Sequence, residues 1–169
     1  MINIYECEAL VKIYCSLDKR CNIIDKFINN HAYYCGSYGE EYSAVDVYND
    51  ILDLIERKNQ LINIKLMIDN AVNKLSINDK KVLYVKLNYN ISMQELCSLL
   101  DVKERTAFRR IEHAFENMAE IINHSKYCTK LENIIDKQEW IKKICGDVKQ
   151  RRLAFKSVQP SHEFAVNNQ

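Results

Sequence analysis

An all-α fold follows from three observations. Only 3 glycines and 1 proline occur in 169 residues, against average usage of about 7% and 5%. Those helix breakers are Gly36, Gly39, Gly146 and Pro160, so nothing between Glu40 and Cys145 interrupts a helix strongly. Apolar residues recur at helical spacing, and no stretch alternates with the period of a strand. The pattern predicts a long N-terminal helical hairpin over 1–75, a trihelical domain over 76–123, and a C-terminal helix with a disordered tail over 124–169.

The first helix is expected over residues 4–29. Leu10, Leu17 and Ile24 recur every seven residues, with Cys7, Tyr14, Cys21 and Ile28 as a flanking row. Asn29 to Tyr42 reads as a loop with two glycines. Its Tyr33, Tyr34, Tyr38 and Tyr42 either offer an adhesive surface or cover the end of the helical pair. Ser43 to Leu75 reads as one helix with Val47, Leu54, Leu61, Ile68 and Leu75 in register, widened by Ile51, Ile55, Ile62 and Val72. Such a stripe suits packing on the first helix, with a homodimer as the alternative. Asp46, Asp50 and Asp53 form an acidic row, the composition of a solvated helix face.

Ser76 opens the next helix, with Asp79 three residues on as a cap and Val82, Leu83 and Leu87 on its core side. Asn88-Tyr89-Asn90 then favours a turn. Two short helices follow within Ile91–Phe115. Ser92-x-x-Glu95 has capping-box spacing, and Leu96, Leu99 and Leu100 follow as one apolar face. Asp101-Val102-Lys103 interrupts the pattern, and Asp tolerates the left-handed backbone of a sharp turn. A second helix begins near Glu104, with Ala107, Ile111, Ala114, Phe115 and Met118 apolar. Small Cys97 falls where the two helices cross closely. Ile91, Leu96, Leu100, Val102, Ala107 and Ile111 are expected to close this core.

The layout resembles the helix-turn-helix of the fourth region of bacterial sigma factors. The residues that carry the likeness are Leu96-Cys97-Ser98-Leu99-Leu100-Asp101-Val102-Lys103, then Thr106, Arg109, Arg110 and Ile111. Asp101 stands where that family usually has Gly, and Lys103 where it has a Ser or Thr cap. Together with the preceding long helix, the order is similar to ArpU-type phage and mobile-element regulators, over about residues 40–122. The resemblance implies a transcription regulator that binds double-stranded DNA, with RNA polymerase as a further partner. By matching positions, Lys103, Glu104, Arg105, Phe108 and Arg109 face DNA. Arg105 and Arg109 suit guanine O6 and N7, Glu104 suits cytosine N4, and Phe108 suits a thymine methyl. Thr106, Arg110 and Lys103 suit phosphates. The rival from another class is a protein-interaction module docking on RNA polymerase or a phage packaging complex.

After a link at His124–Tyr127, Thr129 is expected to cap a helix to about Cys145, ended by Gly146. Lys142, Lys143, Lys149, Arg151, Arg152 and Lys156 stand against Asp147 alone. They read as a solvated face or as a phosphate-contacting arm in which Lys149, Arg151 and Arg152 add bulk affinity. Residues 157–169 are expected to be disordered. The net charge of +1 hides a gradient. Lys and Arg against Asp and Glu number 8 to 11 over 1–75, 7 to 7 over 76–123, and 9 to 5 over 124–169. The neutral middle is unusual for a nucleic-acid domain, which often carries a basic excess.

No Gly-rich phosphate loop and no nucleophile or metalloprotease motif is present, so no enzyme and no cofactor is expected. The 7 cysteines form no C-x-x-C pair and no cluster with His at zinc spacing; His31 and Cys35 alone make a poor metal site. No charged-then-apolar leader and no membrane-length apolar run is read. A reduced, cytoplasmic protein with free thiols and no membrane partner is the expectation.

Overall fold

The computed structural model describes residues 1–34, 43–89 and 92–158. The fold is all-α. Seven helices account for the regular structure of the described residues, and no strand occurs among them. They are α1 (Ile4–Tyr34), α2 (Ala44–Lys74), α3 (Ile77–Tyr89), α4 (Met93–Leu100), α5 (Glu104–Asn123), α6 (Cys128–Lys137) and α7 (Glu139–Val158).

α1 to α4 start where short polar side chains, Asn3, Ser43, Ser76 and Ser92, take the free N–H groups of a first turn. Asn3 Oδ1 accepts from Tyr5 N and Glu6 N at 2.9 and 3.0 Å, and Glu6 returns a carboxylate oxygen to Asn3 N at 2.8 Å. Ser43 and Asp46 form a full capping box on α2, so Asp46 of the acidic row is a capping residue. The first helix runs through His31–Tyr34, which were expected to be loop. No glycine or proline precedes Gly36, so nothing stops it earlier. Tyr33 is 85% exposed. Tyr38, Tyr42 and the Cys35 of the His31 pair lie outside the described residues.

α1 and α2 pack along their lengths. The antiparallel pairing is tied by Tyr14 OH donating to Asp69 at 2.5 Å and by the ion pairs Lys65–Asp18 and Lys58–Asp25, each at 2.6 Å. Leu10, Leu17, Leu61 and Ile68 are buried along this contact, whereas Ile55 and Ile62, expected to widen the same stripe, are exposed. Only one stripe of α2 faces the core, and these two stand outside it.

A single apolar core joins all parts, from Ile2 through Phe115 to Ile141. α5 is its axle, touching α1, α2, α3 and α4. The N-terminus is stitched to the end of α5: Ile2 N donates to Asn123 Oδ1 at 2.8 Å, and Asn123 Nδ2 donates to Ile2 O at 2.9 Å.

The C-terminal part departs from expectation twice. One helix was expected over 129–145, but the chain breaks at Gln138, whose backbone is extended. Its side chain donates to Gln60 Oε1 at 2.7 Å and accepts from Trp140 Nε1 at 3.1 Å. The break lets α6 end against α2 while α7 turns to lie along α1; one straight rod would not follow both. Gly146 does not end a helix either. It sits inside α7, with open space where a side chain would stand. Residues 159–169, most of the expected tail, lie outside the described residues.

Candidate nucleic-acid interface

α4 opens on the Ser92 box: Ser92 Oγ accepts from Glu95 N at 3.2 Å, and Glu95 Oε2 accepts from Ser92 N at 2.8 Å. These hydrogen bonds from the Ser92 backbone and hydroxyl hold the Glu95 carboxyl below its ordinary value. α4 closes on Asp101, the one positive-φ residue other than glycine among those described, at φ 48° and ψ 52°. Val102 N donates to Cys97 O at 3.1 Å and Asp101 N to Ser98 O at 3.4 Å. This is the Schellman arrangement, with a left-handed residue turning the chain sharply. Lys103 is the N-cap of α5 but makes no side-chain cap bond.

The turn sets α4 against α5 through Leu96, Ala107 and Ile111, all buried, with Cys97, Leu100 and Val102 packed beside them. Leu99, expected on the same apolar face, is 65% exposed. In an eight-residue helix, it falls on the side turned away from α5. Ile91 of the expected core lies outside the described residues.

The first two turns of α5 display the expected interface residues. Lys103, Glu104, Arg105, Thr106, Arg109 and Arg110 are exposed, and Phe108 is half-buried. Arg105 and Arg109 are four apart and share a face, with Thr106 beside them. Arg110 and Lys103 lie on the flank. None of these four cations forms an ion pair among the described residues. Glu112 and Glu116 follow on the same side, so the basic surface is confined to the start of the helix.

α3 braces α5 from behind through a contact unread in the sequence. Asp79 is buried, accepting from Asn117 Nδ2 at 2.9 Å and from Ser76 Oγ at 2.9 Å, with His113 Nδ1 at 3.4 Å. Burial raises its pKa. The bonds from Asn117, Ser76 and His113, with the His113 charge, outweigh that and hold the carboxyl below its ordinary range. The i, i+4 pair His113/Asn117 on a polar stripe was the available signal.

The basic stretch of the C-terminus is helical, and its members part company. Lys149 and Arg151 are exposed on α7. Arg152 is not offered to a phosphate: its Nε lies 2.5 Å from Glu8 Oε2 and its Nη1 3.5 Å from Glu112 Oε1, with its guanidinium 5.6 Å from the centre of the Phe115 ring. Glu8 also pairs with Lys12 at 2.7 Å. Burial pushes the Glu8 carboxyl up, but its bonds to Lys12 and Arg152 prevail and lower it.

Cys7 is buried and Cys145 half-buried, and both thiols are held in the unreactive protonated form. Burial, then the neighbouring Glu8 charge, pushes the Cys7 thiol up to about 12, and burial pushes Cys145 up to about 11. No group of three or more His, Cys, Asp or Glu converges among the described residues. No helix among them is long and apolar enough to cross a membrane. Comparison with known proteins finds no family model, no curated protein and no solved structure that matches this chain.

Proposed function

We propose that the chain binds double-stranded DNA through the start of α5 and acts as a transcription regulator of the phage or mobile-element kind. The observation that carries this reading is the row Arg105, Thr106, Arg109 and Arg110, exposed on the first two turns of a helix whose other side is buried. The second helix of such a pair enters a major groove with its N-terminal residues at the base edges. Ala107 and Ile111 lock the helix to the core, which holds the arginines on a rigid element.

Arg105 and Arg109 take the specifying role through guanine O6 and N7, with Glu104 and Phe108 as further base contacts. Lys103, Thr106 and Arg110 bind phosphates. Lys149 and Arg151 add sequence-independent affinity from α7, and Arg152 is a structural residue that takes no part. The work of such a protein belongs in the cytoplasm, beside RNA polymerase.

The test is duplex binding by the full chain over a series of salt concentrations. Arg109→Ala is expected to weaken a preferred site by about 1–3 kcal/mol while leaving scrambled duplex nearly unchanged. Lys149→Ala with Arg151→Ala is expected to weaken all duplexes alike. It also flattens the slope of log affinity against log salt by about one unit for each lost phosphate contact. Truncation after Gly146 is unsuitable, since it removes buried Val148 and the Arg152 tie. Absence of duplex binding at low salt overturns the reading. The protein-docking reading then takes over, favoured by exposed Leu99 beside the turn and by the neutral charge of 76–123.

A further inference from the structure

α2 carries two apolar stripes, and α1 and the core cover only one. Leu61, Ile64, Ile68 and Ala71 are buried. Val45, Tyr48, Leu52 and Ile55, then Ile62 and Leu66, are exposed, with Leu52 at 44% and Leu66 at 53%. Ile62 stands about 100° round the helix from Leu61, so the second stripe points away from the buried one. Its members are spaced three and four residues apart in strict alternation, the a and d positions of a coiled-coil seam. The position missing from that row is Asn59, also exposed. The row ends at Asp69, whose carboxylate is held by Tyr14.

We infer that this seam is a docking surface for the α2 of a second copy of the chain, lying parallel to the first about a two-fold axis. Three features select a copy over another partner. A strict 3-4 seam fits another helix with the same repeat, because each knob needs a hole at matching height. Asn59 at a single seam position would be unsatisfied against an apolar partner. Against a parallel copy it meets the same amide at the same level, which bonds to it and fixes the register. The flanking rows also agree. A parallel copy sets Lys58 across from Asn63 and Lys65 across from Asn70, so no like charges oppose. Both lysines are already held by Asp25 and Asp18 at the seam's edge.

The size of the contact sets its strength. From Val45 to Leu66 the seam is about 32 Å long and about 10–12 Å wide. That is a small footprint, at the low end for specific interfaces. The dimer is therefore reversible and concentration-dependent. It leaves the α5 side of each hairpin outward, and under the DNA reading it makes a two-fold symmetric site the preferred one. The pairing is measured without DNA, so it stands or falls separately from that reading.

Sedimentation equilibrium of the full chain over a wide concentration range is the test. The mass should rise from 19.9 kDa toward twice that value. Leu52→Glu with Ile62→Glu should stay monomeric throughout with an unchanged circular dichroism spectrum, since both side chains are at the surface. Asn59→Cys should cross-link two copies through that position on mild oxidation, well above the yield for Arg57→Cys on another side of the helix. A wild-type chain that is monomeric at every concentration overturns the inference, and so does a dimer indifferent to the double substitution. Equal cross-linking at both positions overturns the parallel seam.

Discussion

Arg152→Ala separates a structural arginine from a DNA-contacting one. The guanidinium ties α7 to α1 through Glu8 and to α5 through Glu112. Its side chain is 18% exposed and that of Glu8 is 15% exposed, so the pair lies nearer the buried than the solvated limit. Breaking a fully buried pair costs about 3–5 kcal/mol, because one charge is left without its partner. An exposed pair is worth about 0–1 kcal/mol. Lys12 remains beside Glu8 and softens the loss. The expected cost is about 2–3 kcal/mol, with the lost contact over Phe115 included. For a chain of this size, that lowers the Tm by roughly 4–12 °C. Urea unfolding at neutral pH reads the cost directly, and a cycle with Glu8→Gln isolates the coupling. Arg152→Lys should recover part of it, since an ammonium keeps the charge but not the forked geometry. Non-specific duplex binding by folded Arg152→Ala should keep the wild-type salt slope. Unchanged stability together with a flatter salt slope would refute the reasoning and return Arg152 to the phosphate-contacting set.

Asp101→Gly should stabilise the chain by about 1 kcal/mol, because glycine takes the left-handed turn without the steric cost borne by an L side chain; denaturant midpoints check this, and a loss would mean the Asp side chain contributes more than the backbone costs. Gly146→Ala should add about 0.5–1 kcal/mol, since the glycine is inside α7 with open space at its Cβ. Acid should destabilise the fold in a defined window. Glu8, Asp79 and Glu95 all titrate below their ordinary values of 4.5, 3.8 and 4.5 in the folded chain. A lowered carboxyl adds stability above its unfolded pKa and loses it as pH falls through the folded one. The Tm should therefore stay level from about pH 7 to 5 and drop below about 4.5, less steeply in Asp79→Asn than in wild type. A flat profile through that window would show that these bonds do not hold in solution.

The sequence by itself determined the helical class, the long second helix and the turn at Asp101. Each rests on short-range physics: few helix breakers, apolar spacing, a serine three residues before an acid, and an aspartate that tolerates positive φ. Helix ends were less legible at His31–Tyr34, where no breaker stands, and at Gly146, because one glycine costs a helix too little to stop it when packing continues on both sides. Only the tertiary structure decided which of two stripes on α2 is buried, since both have helical spacing and the choice depends on where α1 and α5 lie. It alone broke the C-terminal helix at Gln138, because the clamp to Gln60 comes from a residue 78 positions away. It also withdrew Arg152 from the basic set while leaving Lys149 and Arg151 exposed. Composition treats the three alike, and only proximity to Glu8 and Glu112 distinguishes them.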